Sequence, residues 1–295
     1  MNITAPGLYD LTHDQYHADP CPTPSLSRSC IVDMLTSSPK HAALRHPRIG
    51  AQREEESTKV ASIGTVAHAL LLGKGEERVK VSPYDEFRTN EAKAWRDAQL
   101  ATGKTIIKAD GYADAQAMVA GFRANMAKYS AELGESFPTS GFEKTVCAQL
   151  NGVWCRILID ADGDSIWDLK STGTEYRPEK WVRNQHFGAG GDIQAAFYQR
   201  VYEAATGKRK RFISAVVEQN APYDAYPVVS TDKGNEIANQ KIDWALETFK
   251  RGLESGHWDG YAARVVYADP APWMQAEWEE FKLRDEMAAQ LKEVA

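Results

Sequence analysis

Between residues 142 and 172, short apolar runs alternate with turn sequences in the way that is typical of neighbouring strands. The runs are "FEKTVCAQL", "GVWCRILID" and "SIWDLKST", and the sequences "NG" (151–152) and "ADGD" (161–164) separate them. Asn-Gly and Asp-Gly between such runs are strong signals for tight hairpin turns. The pattern therefore predicts a meander of three strands, and "RFISAVVEQNAPY" predicts a further strand.

Apolar positions that recur every three or four residues predict helices on both sides of this meander. Ser27 is a good N-cap for one helix, and Pro39 lies near the start of the next. A compact apolar helix over 61–73 ends at Gly73, and Asp192 is placed to cap a helix over 190–207. Further helices are expected within 90–133, over 232–255 and over 273–291, whereas the polar segment 50–59 predicts a loop.

The order of these elements predicts an α/β fold with a mixed central sheet flanked by helices. We expect one domain over 1–295. Residues 1–60 would form an N-terminal helical segment, 61–258 the core and 259–295 a C-terminal helical tail. A chain of 295 residues is long enough to bury a core of that size.

Composition narrows the functional class only a little. Apolar residues make up 43% and charged residues 26% of the chain, as in an ordinary soluble globular protein. No apolar run approaches the ~20 residues of a membrane helix. The N-terminal sequence lacks the features of a signal peptide, so we expect a cytoplasmic location in a bacterial host cell. The four cysteines form no CxxC pair and are expected to be reduced and buried.

The net charge of −6 argues against a protein that coats nucleic acid along its whole surface. It leaves room for a local basic groove beside an acidic metal site. Global charge therefore decides little about function.

The segment "IWDLKSTG" (166–173) contains the main candidate chemistry, because an acid and a lysine interrupt a run that is otherwise typical of a buried strand. Asp168 and Lys170 are two residues apart and should project to the same side. A hairpin can bring Asp160 alongside Asp168, and two converging carboxylates suit Mg²⁺. Lys170 could then orient a water and stabilise charge on a phosphoryl group. A solvated ion pair on an edge strand explains these three residues equally well.

Two neighbouring helices add polar candidates. Gln194 and Tyr198 are four residues apart in "QAAFY" and therefore share one helix face. His68 is the strongly polar residue inside the apolar helix over 61–73. By itself, a lone histidine of this kind is more often a satisfied core residue than a metal ligand.

The combined motif of a histidine, a distant aspartate, D-x-K and Q-x-x-x-Y resembles the PD-(D/E)xK nuclease superfamily in its RecB-like branch. More closely, "GTVAHALLLG", "GVWCRILID", "WDLKST", "QAAFYQRVY" and "AVVEQNAPY" resemble the RecE (exodeoxyribonuclease VIII) family and its phage homologues. The N-terminal "SLSRSCIVDMLTSSPKHAAL" is similar to the opening helices of that family. The resemblance extends from about residue 9 to residue 258. It departs at Asp160, which follows Leu-Ile where the family often has Arg-Pro.

The resemblance implies a nuclease-like core and assigns roles to the candidate residues. His68, Asp160 and Asp168 would be metal ligands, with the Leu169 backbone carbonyl as a further one. Lys170 would be the catalytic lysine, and Gln194 and Tyr198 would hold DNA or the lysine. The implied cofactor is Mg²⁺, with Mn²⁺ as a substitute. No iron–sulfur cluster is expected, because no cysteine follows Cys155.

The resemblance also implies the substrate and the partners. These are the ends of linear double-stranded DNA, degraded 5′→3′ to leave 3′ single-stranded tails, a single-strand annealing protein for recombination, and a homo-oligomeric ring. Two alternatives stay open: an endonuclease or single-strand exonuclease of the same superfamily, and a DNA-binding ring or scaffold that does not cleave.

Several residues are weaker candidates for contacts with DNA. A 5′-phosphate could bind at the helix start near Ser25, Ser27 and Arg28, although plain capping by Ser27 is the simpler explanation. Basic side chains for the DNA backbone form two groups, Arg177, Lys180 and Arg183, and Lys208, Arg209, Lys210 and Arg211. A solvated helix end explains Lys208 and Arg209 equally well. Glu218 is either a support for the site or an ordinary charge at a strand end.

Overall fold

The central feature of the computed structural model, which describes residues 3–50, 62–73, 76–173 and 177–293, is a mixed sheet of six strands. Within these ranges the strands, in chain order, are β1 Gly7–Tyr9, β2 Val79–Val81, β3 Thr105–Ile107, β4 Phe142–Leu150, β5 Val153–Asp162, β6 Ile166–Thr172, β7 Phe212–Glu218 and β8 Ala225–Val229. The spatial order of the large sheet is β1-β4-β5-β6-β7-β8, and β2 pairs with β3 separately. Neighbours in the large sheet are antiparallel except for β6 and β7, which are parallel.

Helices connect and cover these strands. In the same ranges they are α1 His13–His17, α2 Arg28–Thr36, α3 Pro39–Arg45, α4 Ile63–Leu72, α5 Asn90–Ala101, α6 Ala109–Leu133, α7 Pro178–Trp181, α8 Gly191–Thr206, α9 Asp232–Ser255 and α10 Pro272–Glu293. A π-helical segment, Val182–Phe187, continues α7. The connection from β6 to the parallel strand β7 therefore runs through α7, the π-helical segment and α8.

Two apolar clusters on β6 show why an acid and an amine can share one side of this strand. Ile166 packs with residues of α8 and α9, whereas Trp167 and Leu169 pack with residues of α4 and α6. The alternation places Asp168 and Lys170 on the same side as Ile166, toward α8. Polar partners from α8 are therefore within reach of both.

The structure confirms the α/β fold with a mixed sheet flanked by helices, and it confirms the three-strand meander. β1 and β8 were not predicted as separate strands. The prediction that Asp192 caps α8 is wrong. Gly190, in a left-handed conformation, is the N-cap, and Asp192 lies in the first turn, where its carboxylate accepts a hydrogen bond from Lys241. Residues 51–59 of the predicted loop lie outside the described residues.

The chain divides into two compact units, Met1–Gly260 and Tyr261–Ala295. The first contains the sheets and α1–α9, and the second contains α10. That the chain is one nuclease domain stays a prediction. In the described part of the chain, no helix combines the length and apolar character needed to cross a bilayer.

Candidate active site

The ladder between β5 and β6 is short, and the point where it stops is the centre of the candidate site. Its pairs are Ala161 with Trp167 and Asp162 with Ile166. Beyond them, the backbone N–H of Leu169 donates to Asp160 Oδ2 over 2.6 Å, so that a carboxylate takes the place of a strand partner. A hydrogen bond to an ionised acceptor is stronger than an ordinary one. The break in the ladder therefore holds Asp160 between the two strands.

Asp168 and Lys170 point to the same side of β6, as their spacing predicts. Lys170 Nζ lies 2.7 Å from Asp168 Oδ2, and Gln194 Nε2 donates to Asp168 Oδ1 over 2.6 Å. Asp168 is 4% exposed, whereas the side chain of Lys170 is 37% exposed. The acid is thus buried while the amine reaches solvent. The contact shows Gln194 holding Asp168, a partner that the sequence did not suggest for it.

His68 reaches this cluster from α4, and its Nε2 lies 3.3 Å from Asp160 Oδ1. The close approach of α4 to β6 depends on Gly64. A Cβ at that position would collide with the hydroxyl of Ser171 and lie 2.7 Å from Gln219 Nε2. A larger residue would therefore require these two side chains to move, at the place where α4 lies against the sheet.

Burial and charge act in opposite directions on the ionisable groups of the site. Burial alone would raise the pKa of Asp160, but His68, Lys170 and the Leu169 N–H lower it below its usual value. Burial raises the pKa of Asp168, and the nearby charge of Asp160 adds to this, while Lys170 opposes it. Burial would lower the pKa of His68, but its hydrogen bond to Asp160 and the charge of that carboxylate raise it. The cluster is one that additional positive charge would stabilise.

The donor atoms of this cluster fit a divalent cation. Asp168 Oδ2 is buried without a well-directed hydrogen bond, although the Lys170 amine lies beside it. Asp160, Asp168 and His68 offer the oxygen and nitrogen donors that Mg²⁺ and Mn²⁺ accept. Within the described ranges, no group of three His, Cys, Asp or Glu side chains has a ready-made ligand geometry. Binding would therefore involve side-chain shifts around Asp168.

A cavity of ≈ 260 Å³ opens beside Lys170 on the side of α8. Arg28 at the start of α2, Gln185 in the π-helical segment and Gly191 at the start of α8 all line it. Arg28 Nη2 donates to the carbonyl oxygen of Ala189 over 2.6 Å, which ties α2 to the segment before α8. The cavity thus places a second cationic side chain next to His68, Asp160, Asp168 and Lys170, which we call the active-site cluster.

The model of one protein family matches residues 27–269, and its description is "PDDEXK-like domain of unknown function (DUF3799)". The chain belongs to this family. The predicted PD-(D/E)xK resemblance is thereby confirmed, and with it the prediction that the chain is a nuclease. No curated protein matches the chain.

Among solved structures, this PDDEXK-like domain is similar to a candidate exonuclease from Eubacterium rectale. The TM-score is 0.55 at 15% identity, over 91% of this chain and 98% of that one. This likeness shows the fold. An alkaline exonuclease from Laribacter hongkongensis also matches, with a TM-score of 0.21 at 14% identity, over 68% of this chain and 95% of that one.

The three residues predicted to bind a 5′-phosphate at the start of α2 have different environments in the structure. Arg28 lines the cavity beside Lys170. The prediction for Ser25 is wrong, because its side chain is fully buried and its hydroxyl donates to Asp19 Oδ1. Ser27 accepts a hydrogen bond from the Cys30 N–H and caps α2, as the simpler explanation predicted.

The two predicted basic groups lie in different surroundings. Arg177, Lys180 and Arg183 are exposed along α7 and the π-helical segment, which also contributes to the cavity. In the other group, Lys210 Nζ lies 2.6 Å from Asp162 Oδ1, and Arg211 Nη2 lies 2.6 Å from Glu135 Oε1.

These contacts hold the β5–β6 hairpin, and the DNA contacts predicted for Lys210 and Arg211 stay predictions. Lys208 and Arg209 are exposed, and Arg209 Nη2 lies 3.8 Å from Asp232 Oδ1. Contacts of these two residues with DNA stay predictions.

The remaining candidates lie around the cluster. Tyr198 is buried one turn after Gln194, and its ring packs edge-on against Phe212. Glu218 pairs with Thr172 at the end of β7, and its charge helps to raise the pKa of Tyr226, although burial is the larger cause. The roles predicted for Tyr198, Glu218 and the Leu169 carbonyl stay predictions.

Sequence reasoning missed Glu143 and Gln185. Glu143 lies on β4 opposite Asp160, and its Oε1 is 4.0 Å from His68 Nδ1. An acid at the start of the strand before Asp160 was the available signal. Gln185 gave no comparable signal, because its place in the cavity wall depends on the π-helical segment, a form that is common near functional sites but lacks a clear sequence pattern.

Proposed function

We propose that this PDDEXK-like domain is a Mg²⁺-dependent exodeoxyribonuclease that acts in the cytoplasm of a bacterial host cell. It degrades one strand of linear double-stranded DNA from the 5′ end and leaves a 3′ single-stranded tail for recombination by strand annealing. The observation that carries the proposal is the convergence of His68, Asp160, Asp168 and Lys170 where the β5–β6 ladder stops. These residues come from three separate elements, so a local ion pair does not explain their arrangement.

Asp160, Asp168 and His68 would hold the cation, which when bound polarises a phosphodiester and lowers the pKa of a bound water. The amine of Lys170 reaches solvent and can position the attacking water and stabilise the charge that builds on the phosphate. Gln194 keeps the carboxylate of Asp168 in place through its hydrogen bond. Each of these side chains therefore has a distinct task in hydrolysis.

Two features support action at a 5′ end. Arg28 lines the cavity beside Lys170, and its buried Nε has no hydrogen-bond partner. The start of α8 lines the same cavity, and backbone N–H groups at a helix start favour anions. A terminal phosphate bound there would place the first phosphodiester near Lys170.

The exposed cations Arg177, Lys180 and Arg183 support a DNA path beside the cavity, because they lie on the segment that forms its wall. Processive degradation would follow if copies of the chain assemble as a ring around DNA. Exposed aromatic side chains such as Trp273 and Trp278 support contacts between copies. A single-strand annealing protein that takes up the 3′ tail completes the proposal.

The test uses linear duplex DNA labelled at either the 5′ or the 3′ end, with Mg²⁺ or with EDTA. We expect early release of 5′-labelled nucleotides with Mg²⁺ and no cleavage with EDTA. A duplex with one blocked 5′ end should retain that strand. The Lys170→Ala variant should bind DNA and fail to cleave it.

Other outcomes would favour other functions. Cutting of covalently closed circles would indicate an endonuclease, and preference for single strands would indicate a single-strand exonuclease. If the wild type and the Lys170→Ala variant bind DNA equally and neither cleaves it with any metal, the protein would be a DNA-binding scaffold.

A further inference from the structure

Glu143 has a backbone conformation that its side chain does not favour. Its φ is +49°, in the left-handed region, at the start of β4. Neighbouring ladder pairs, Phe142 with Ala161 and Lys144 with Ile159, place Glu143 opposite Asp160 on the next strand. The unusual backbone therefore occurs beside a residue of the active-site cluster.

A left-handed backbone is unfavourable for a residue with a Cβ, and glycine or asparagine reduces that cost. Asn151, in the Asn-Gly turn at the other end of β4, has a φ of +51° and follows this preference. Glu143 does not. Strained residues of this kind concentrate at functional sites, where the side chain has a task that outweighs the strain.

The side chain of Glu143 faces His68. Its Oε1 lies 4.0 Å from His68 Nδ1, while His68 Nε2 lies 3.3 Å from Asp160 Oδ1. The imidazole ring thus has a carboxylate at each of its two nitrogens. At 4.0 Å the contact with Glu143 is electrostatic, and a small movement would turn it into a hydrogen bond. An acid that accepts from the outer nitrogen of a metal-binding histidine fixes the ring orientation and directs the inner nitrogen toward the metal.

We propose that Glu143 is a positioning residue, which holds His68 with Nε2 toward Asp160 and thereby prepares the site for a divalent cation. The proposal rests on the metal-dependent activity proposed above. It explains why an acid occupies a position where glycine or asparagine would be more stable. Loss of a residue in this role typically weakens metal binding or activity by about 10- to 100-fold.

The test compares Glu143→Gly and Glu143→Gln with the wild type and with Asn151→Gly as a matched control. The glycine variant removes the carboxylate and relieves the backbone strain, and the glutamine variant removes only the charge. Mn²⁺ binding is measured without DNA by electron paramagnetic resonance, cleavage is measured with Mg²⁺, and Tm is measured by calorimetry.

We expect both Glu143 variants to bind Mn²⁺ about 10-fold more weakly or worse and to cleave more slowly. Their Tm should be unchanged, or raised for the glycine variant, and Asn151→Gly should match the wild type throughout. Wild-type Mn²⁺ affinity in Glu143→Gly, or a lower Tm in that variant, would overturn the inference. A wild-type protein that neither binds Mn²⁺ nor cleaves DNA would instead overturn the proposed function.

Discussion

Two buried polar clusters lie in the same unit, and they differ in how their charges are satisfied. The first, which we call the Asp19 network, consists of Asp19, Ser25, His46 and Arg156. The backbone N–H and the hydroxyl of Ser25 donate to the two oxygens of Asp19, over 2.8 and 2.6 Å. Arg156 Nη1 donates to the Ser25 carbonyl over 2.7 Å and lies 3.5 Å from Asp19 Oδ1. This network ties the N-terminal segment to β5.

Charge in the Asp19 network is balanced within the protein. Burial lowers the pKa of His46, and the Asp19 carboxylate lies 3.5 Å from Arg156 Nη1 and 3.9 Å from Arg48 Nη1. In the active-site cluster, by contrast, the buried Asp168 and the partly buried Asp160 share Lys170 and His68 as partners, and the pKa of Asp168 is raised by burial and by Asp160. The comparison teaches that burial and charge alone do not mark a functional site. The feature that distinguishes the active-site cluster is Asp168 Oδ2, a buried carboxylate oxygen without a well-directed hydrogen bond, next to Lys170 at the cavity.

The same chemical change at the two acids gives the sharpest test of this difference. Asp168→Asn removes a carboxylate to which the proposed function assigns metal binding and whose charge burial disfavours. We expect nuclease activity to fall by at least about 10²-fold, because the charge that stabilises the transition state is lost. The Tm should be unchanged or higher, because a buried charge has been removed. Activity assays and calorimetry on one preparation check both parts.

The matched change Asp19→Asn should have the opposite result. Asparagine tolerates the φ of +61° at this position, so the variant changes charge with little backbone strain. Arg156 would be left buried without its acid, and the free energy of unfolding should fall by about 3 kcal/mol. Activity per folded molecule should stay near the wild-type value. Urea unfolding measures the loss, and an unchanged midpoint would contradict the role assigned to the network.

Removing the cations beside the cavity should have a smaller effect, confined to DNA binding. The triple variant Arg177→Ala, Lys180→Ala and Arg183→Ala should lower the slope of log K against log [salt] by about 2 to 3, because each phosphate contact contributes about 0.9. The double variant Lys208→Ala with Arg209→Ala is the control from the other basic group. An equal change of this slope in the triple and the double variant would contradict a DNA path that runs beside the cavity.

The smallest expected effect concerns Glu135, which holds the start of β6. Its carboxylate accepts hydrogen bonds from the Ser165 N–H, Trp167 Nε1 and Arg211 Nη2, over 3.0, 3.1 and 2.6 Å. Burial would raise its pKa, but these donors lower it below the usual value. Glu135→Gln should reduce the free energy of unfolding at pH 7 by about 1 kcal/mol.

The pH dependence of this effect has a definite sign. Because the folded state lowers the pKa of Glu135, its contribution is present at neutral pH and is lost as the pH falls below about 5 toward that lowered value. The glutamine variant should therefore lose less stability than the wild type on acidification. Urea unfolding at pH 7 and pH 4 measures the decrease in the free energy of unfolding. An equal decrease in the wild type and in Glu135→Gln would contradict the prediction.

The parts of the site that the sequence predicted are those with a local pattern. The two-residue spacing of Asp168 and Lys170 and the hairpin with Asp160 follow from strand periodicity and turn residues. His68 became a candidate because it interrupts an apolar helix and because of the family resemblance. The three-strand meander was also predicted from local pattern, because its strands are long and its turn sequences are specific.

The parts that the sequence did not predict depend on contacts between distant segments. Ser25 has the local features of a phosphate site, but Asp19 and Arg156 bury it in a network that only the fold assembles. Lys210 and Arg211 form a basic patch in the sequence, but in the fold they pair with Asp162 of the β5–β6 hairpin and with Glu135, which follows α6. The short edge strands β1 and β8 carry too few residues for a periodic pattern.

Direct titration of Mn²⁺ into the DNA-free protein, with Asp168→Asn and Asp19→Asn alongside, tests the central claim that the active-site cluster binds a divalent cation. We predict saturable binding by the wild type and by folded Asp19→Asn, and binding weakened by at least about 10-fold in Asp168→Asn. Equal Mn²⁺ affinity in Asp168→Asn and wild type, or no binding by the wild type, would contradict the account.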